Sequence, residues 1–175
     1  MRTPNKRITN QYLINEKIGR NAFLDVMKEY NPDQVVTIEF AEDDYAVWDA
    51  KMRTEDRRSG KMTDVLIEIK VRNRAYSTMV LEKKKLDNLL QYAEDNDLEN
   101  VKILYVNICP ENTYMFNVTT LDTRLTAVEG YYNKNTVRSN AKVVKKMYYI
   151  PLPTGKKYPY VLDRKEMLDR IHNKH

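Results

Sequence analysis

The run Asp64-Val65-Leu66-Ile67-Glu68-Ile69-Lys70-Val71-Arg72 constrains this chain more than any other stretch. Val65, Ile67, Ile69 and Val71 alternate with the remaining residues, and a strand sends successive side chains to opposite faces. One face is therefore an apolar row, and Glu68 and Lys70 point together from the other.

Weaker patterns flank that strand. Ile14, Ile18, Ala22 and Val26, with Phe23, Met27 and Tyr30 beside them, recur at spacings of three and four and predict a helix over 11–30. Asn31-Pro32-Asp33 ends it, because Pro lacks an amide and restricts the residue before it. Val35 to Phe40 reads as a first strand and Ala41 to Asp44 as a polar turn. Tyr45 to Met52 alternates as a second strand, and charged Arg53 to Lys61, with Gly60, forms a loop. After the Asp64–Arg72 strand, a helix is expected over 80–96 with Leu81, Leu86, Leu89, Leu90 and Ala93 on its buried side. Strands follow at 101–108 and 114–118, then an edge strand at 143–152 closed by Pro151 and Pro153, and a short helix at 163–172. The order helix, three strands, helix, strand predicts an α/β (α+β) fold, with a mixed central sheet flanked by helices and a basic C-terminal extension. At 175 residues the chain has the length of one domain, with the core over about 11–118.

Composition excludes several chemistries. One cysteine, Cys109, and two histidines, His172 and His175 near the end, leave no set for a His/Cys metal centre and suit a reducing, intracellular compartment. No apolar run approaches the roughly 18 residues of a membrane span, and the basic start of the chain lacks the apolar stretch of a secretory signal. Neither a Gly-rich phosphate loop nor a nucleophile elbow is present. The net charge of +5 is unevenly spread. Residues 1–130 hold 19 Lys/Arg against 22 Asp/Glu, whereas 131–175 hold 11 against 3 and six of the 13 tyrosines. Such a segment suits phosphate neutralisation and base stacking.

The second strand contains Asp49, an acid where strands disfavour one. A hairpin between the second and third strands, centred between residues 58 and 59, sets Asp49 directly opposite Glu68, side chains roughly 5 Å apart. Two carboxylates so placed repel each other unless a cation lies between them, and Mg²⁺ takes one or two carboxylates plus water and phosphate. Asp64 shares the face of Glu68 but lies about 13 Å along the strand, too far to share one ion.

Asp49, Glu68 and Lys70, on consecutive strands after an N-terminal helix, resemble the signature of the PD-(D/E)xK (restriction-endonuclease-like) nuclease superfamily. The helix opened by Leu81-Glu82-Lys83-Lys84-Lys85-Leu86 is similar to the one that follows the motif in phage-type and Holliday-junction-resolvase-like members. Trp48 stands where the motif has its proline, and the helix-one acid is left open among Glu16, Asp25 and Glu29, with Glu16 retained as a possible ligand. The resemblance implies a metal-dependent deoxyribonuclease, an endonuclease of phage-like type. Asp49, Glu68 and the backbone carbonyl of Ile69 would hold Mg²⁺, or Mn²⁺ as substitute. The cation would polarise the scissile phosphate and activate water. Lys70 would orient or deprotonate that water and stabilise developing charge. The implied partner is DNA, duplex, branched or single-stranded, with a homodimer by analogy. Arg72, Arg74, Lys83, Lys84 and Lys85 beside the motif, and Lys145 and Lys146 in the basic third, are the expected sugar-phosphate contacts. The alternative is an inactive nuclease-like fold that binds nucleic acid or protein.

Overall fold

Ile18, Ala22, Phe23, Val26 and Met27 are all buried along one stripe of helix α1 (Lys6–Tyr30), at the helical spacing of the sequence. The computed structural model describes residues 6–31, 33–42, 46–98, 100–135 and 139–173. Pro32, the Asp43-Asp44 turn, Tyr45 and His175 lie outside the described residues. After α1 come β1 (Val35–Phe40), β2 (Ala50–Glu55), β3 (Met62–Val71), β4 (Thr78–Glu82), α2 (Lys83–Asp95), β5 (Lys102–Ile108), β6 (Asn112–Asn117), β7 (Val128–Asn135), β8 (Ser139–Pro151), β9 (Lys156–Pro159) and α3 (Arg164–His172).

The fold is α+β with a mixed central sheet. Six strands lie in the order β1-β2-β3-β5-β6-β9, with β3 and β5 parallel and every other pair antiparallel. A second, antiparallel sheet has the order β4-β8-β7. The two faces of β3 serve two cores. Val65, Ile67, Ile69 and Val71 pack with α1 and α3, whereas Leu66 joins α2, β4 and the buried Tyr148 and Ile150 of β8. Each fully buried aliphatic side chain contributes roughly 1.5–3 kcal/mol, so both faces of β3 are fixed. Gly19 brings α1 closest to that strand. A Cβ there would meet the methyls of Ile69 and Val71 at 3.1 Å, so glycine lets the helix ride over the back of the Glu68–Lys70 segment without those methyls giving way.

The β2–β3 turn is built locally. Asp56 Oδ1 accepts from the backbone N–H groups of Arg58 and Ser59 at 3.0 and 2.9 Å, and Gly60 adopts the φ of +67° that closes it. The centre therefore falls at residues 58–59, and Ala50 pairs with Ile67 through to Glu55 with Met62.

Several boundaries differ from the sequence expectation. The second strand begins at Ala50, not Tyr45, because Val47 and Trp48 both pack into the α2 core instead of alternating. Arg53 to Glu55, expected in a loop, are strand, their charges carried on the half-exposed end of the hairpin. Residues Thr78–Glu82 form β4 rather than the start of a helix. Met79 and Leu81 are buried there and β8 supplies the ladder. The same pairing makes β8 the central strand of its sheet, where an edge strand was expected. β7 and β9 were not expected at all. No helix among the described residues is long and apolar enough to cross a membrane.

Candidate active site

Asp49 stands one residue ahead of β2 and continues its ladder. Its N–H donates to Ile67 O at 2.9 Å, while its own carbonyl accepts from Ala41 N–H at 3.1 Å. That holds it opposite Glu68. Its carboxylate turns toward β3 and accepts the Ile69 N–H at 2.7 Å. A strand residue's N–H and C=O point the same way, so the Ile69 carbonyl opens on this side too. Neighbouring Trp48 is wedged edge-on against Tyr92 of α2, ring centroids 6.3 Å apart.

Glu68 is only 3% exposed. Lys70 Nζ lies 2.6 Å from its Oε1 and Lys85 Nζ 2.7 Å from its Oε2. Lys70 shares the face because it is two residues along the strand, and Lys85 rises from the first turn of α2. Oε2 is buried, and the Lys85 ammonium is its ion-pair partner.

The charges act on one another strongly. Burial, and then the Glu68 charge, push the Asp49 carboxyl up from 3.8 to about 6. Burial opposes ionisation of Glu68 as well, but Lys70 and Lys85 outweigh it and hold its carboxyl below the usual range. Burial likewise works against the Lys70 ammonium, and is overcome by Glu68 and Asp49, which raise it above the ordinary lysine value. Burial is the larger cause of the Asp49 shift and the Glu68 charge the next, with Lys70, the Ile69 N–H and Lys85 working against both.

The donor set suits a hard divalent cation. It is all oxygen: Asp49, Glu68, whose buried Oε2 meets the Lys85 ammonium, and the Ile69 carbonyl. Among the described residues, no group of three or more His, Cys, Asp or Glu side chains converges. Two carboxylates are what this site offers. Glu16 is ion-paired to Arg20 one turn along α1, whose guanidinium lies 5.6 Å from the centre of the Phe40 ring. Asp25 is held by α3: Arg170 grips both carboxylate oxygens at 2.7 and 3.0 Å, and Tyr160 donates at 3.0 Å.

The expected phosphate contacts separate into different roles. Arg72 turns inward, its Nε donating to Asn107 Oδ1 at 2.9 Å and a terminal nitrogen to Tyr105 OH at 2.6 Å. Tyr105, directly across from Glu68 in the β3–β5 register, donates in turn to Val80 O. Lys83 is spanned by Asp87, Lys85 belongs to Glu68, and Lys84 alone of the three is exposed. Arg74 lies over the Tyr76 ring at 4.8 Å. Lys145 pairs with Glu82 at 2.8 Å and Lys146 with Glu129 at 3.3 Å. Sequence reasoning missed Tyr105 and Asn107 as site neighbours. Their only signal, the parallel register of β3 and β5, depends on a crossover whose geometry the sequence does not display.

The small sheet carries a basic, aromatic surface. On one face Tyr131 is paired with Val144, and they are 79% and 56% exposed. Exposed Lys142 and Lys146 flank them on β8.

No protein-family model matches the chain, and no curated protein matches it in sequence.

Proposed function

We propose that this chain is a divalent-cation-dependent deoxyribonuclease of the PD-(D/E)xK kind, hydrolysing phosphodiester bonds at Asp49, Glu68 and Lys70. The observation that carries the reading is the meeting of Asp49 and Glu68 on one face. They come from separate elements, Lys70 lies against Glu68, and the Asp49 carboxyl is pushed to about 6 by burial and its neighbour. Like-charge pairs of this kind cost stability and are common where chemistry needs them.

Mg²⁺ or Mn²⁺ at Asp49, Glu68 and the Ile69 carbonyl would supply Lewis acidity toward the phosphate and toward water. The remaining work falls to the protein. In the metal-free protein Lys70 is an ammonium, because the carboxylates raise its pKa. Its role is therefore to donate a hydrogen bond to the attacking water and to stabilise charge developing on the phosphate, rather than to remove a proton. Arg72, Asn107 and Tyr105 brace the end of the β3–β5 pair beside Lys70. The Tyr131–Val144 face and the lysines around it provide a stacking and phosphate-binding surface on the small sheet.

A second reading, nucleic-acid binding without cleavage, is favoured by one observation: Lys70 and Lys85 already neutralise Glu68 without a cation. The test is incubation with single-stranded, duplex, flap and four-way-junction DNA, with and without Mg²⁺ or Mn²⁺, beside Glu68→Gln. Metal-dependent cleavage lost in the variant supports the nuclease. Binding with no cleavage under any condition supports the second reading.

A further inference from the structure

Lys85 competes for the atom that a cation would need. Its Nζ is 2.7 Å from the buried Glu68 Oε2, while Lys70 occupies Oε1. Lys85 reaches that position from the N-terminal turn of α2, where a positive charge opposes the helix dipole. The carboxylate offsets this cost. Asp49, Glu68, Lys70 and Lys85 carry formal charges that cancel, so the metal-free site is neutral as a unit. A dication about 2.1 Å from Oε2 would repel the Lys85 ammonium that lies 2.7 Å from the same atom. If both stayed, the site would hold two excess positive charges in a largely buried setting.

We propose that Lys85 is a built-in counter-cation, which holds Glu68 in the metal-free protein and yields to a divalent cation when nucleic-acid phosphate receives its ammonium. This deepens the nuclease reading and rests on its assignment of Asp49 and Glu68 as metal ligands. Lys85 can make the move, because its side chain retains 27% exposure whereas Glu68 is sealed. The consequence is linkage: metal and polyanion each raise the affinity for the other by the same factor. The metal alone binds weakly, so the chain carries little loaded metal until substrate arrives. Lys85 is then a positioning residue that sets when the site charges.

The experiment measures Mn²⁺ binding at neutral pH by electron paramagnetic resonance. It compares the wild type, Lys85→Met, Lys85→Gln and Lys70→Met, each with and without a cleavage-resistant phosphorothioate oligonucleotide, with folding checked by circular dichroism. Removing Lys85 is expected to tighten Mn²⁺ binding about tenfold or more without the oligonucleotide, since a competing charge is gone. The oligonucleotide is expected to tighten Mn²⁺ on the wild type by a similar factor and much less on the two Lys85 variants. Unchanged or weaker Mn²⁺ affinity in both folded Lys85 variants overturns the proposal, as does an undiminished oligonucleotide effect. Tightening on loss of Lys85 in a protein that cuts no DNA sustains this inference and removes the nuclease reading. Glu68-dependent cleavage without tightening does the reverse. Absence of Mn²⁺ binding in every variant overturns both.

Discussion

Replacing Asp49 by Asn is expected to stabilise the metal-free protein at neutral pH while removing metal-dependent cleavage. The carboxyl is raised from 3.8 to about 6 by burial and by Glu68, and one pKa unit corresponds to about 1.4 kcal/mol. Keeping Asp49 ionised therefore costs up to about 3 kcal/mol, and its partial exposure reduces this to on the order of 1–3 kcal/mol. The sign follows from proton counting. Below about pH 4 the group is protonated both folded and unfolded, and the cost vanishes. Between about 4 and 6 the folded state holds more protons than the unfolded one, so stability falls as pH rises. Above about 6 the full cost is present. Asn removes that slope while its Oδ1 still accepts the Ile69 N–H. For a chain of this length 1 kcal/mol moves Tm by about 2–4 °C, so Tm in EDTA at neutral pH should rise by several degrees. Near pH 4 the two proteins should melt together. Thermal unfolding followed by circular dichroism at both pH values is the assay. A neutral-pH Tm at or below wild type, or an equal gain near pH 4, would refute the electrostatic account of the pair.

Lys70→Ala should lower cleavage by about 10²–10³-fold with Mn²⁺ still bound, so single-turnover kinetics and metal titration should diverge. Asp25→Asn carries the opposite pH signature to Asp49→Asn. Burial works against the Asp25 carboxylate, but Arg170 and Tyr160 outweigh it and hold the carboxyl below 3.8. Their contribution, on the order of 1 kcal/mol for a half-buried pair, is present above about pH 4 and lost as pH falls further, so the variant should lose stability at neutral pH only. Tyr131→Ala should weaken single-strand binding in EDTA by roughly 5- to 150-fold, the equivalent of about 1–3 kcal/mol for one stacked base, measured by fluorescence anisotropy. A duplex with no unpaired bases should be much less affected.

The acid pair was legible because its determinants are local. Alternation from Val65 to Val71 assigned Glu68 and Lys70 to one face, and a turn centred at residues 58–59 set the register that carries Asp49. Other features depend on partners distant in the chain. Val80 and Leu81 read as helix until β8, some 70 residues later, supplies a ladder. That error hid Lys85. Three consecutive lysines are indistinguishable as letters, and only a helix starting at Lys83 points the third toward Glu68 while the first meets Asp87. Arg72 followed the alternation correctly to the site face. Its capture by Tyr105 and Asn107 required the parallel β3–β5 register, which no short-range pattern encodes. β7 is polar and exposed over most of its length and β9 spans only Lys156–Pro159, so neither leaves an apolar period to read.

The nuclease reading stands most directly on Glu68, the most buried charge of the site. Cleavage of a labelled branched and single-stranded DNA panel by the wild type and Glu68→Gln, with Mg²⁺ or with EDTA, tests it. The account predicts cleavage only by the wild type and only with the metal, both proteins being folded. Cutting that persists in Glu68→Gln, or that proceeds in EDTA, would contradict it.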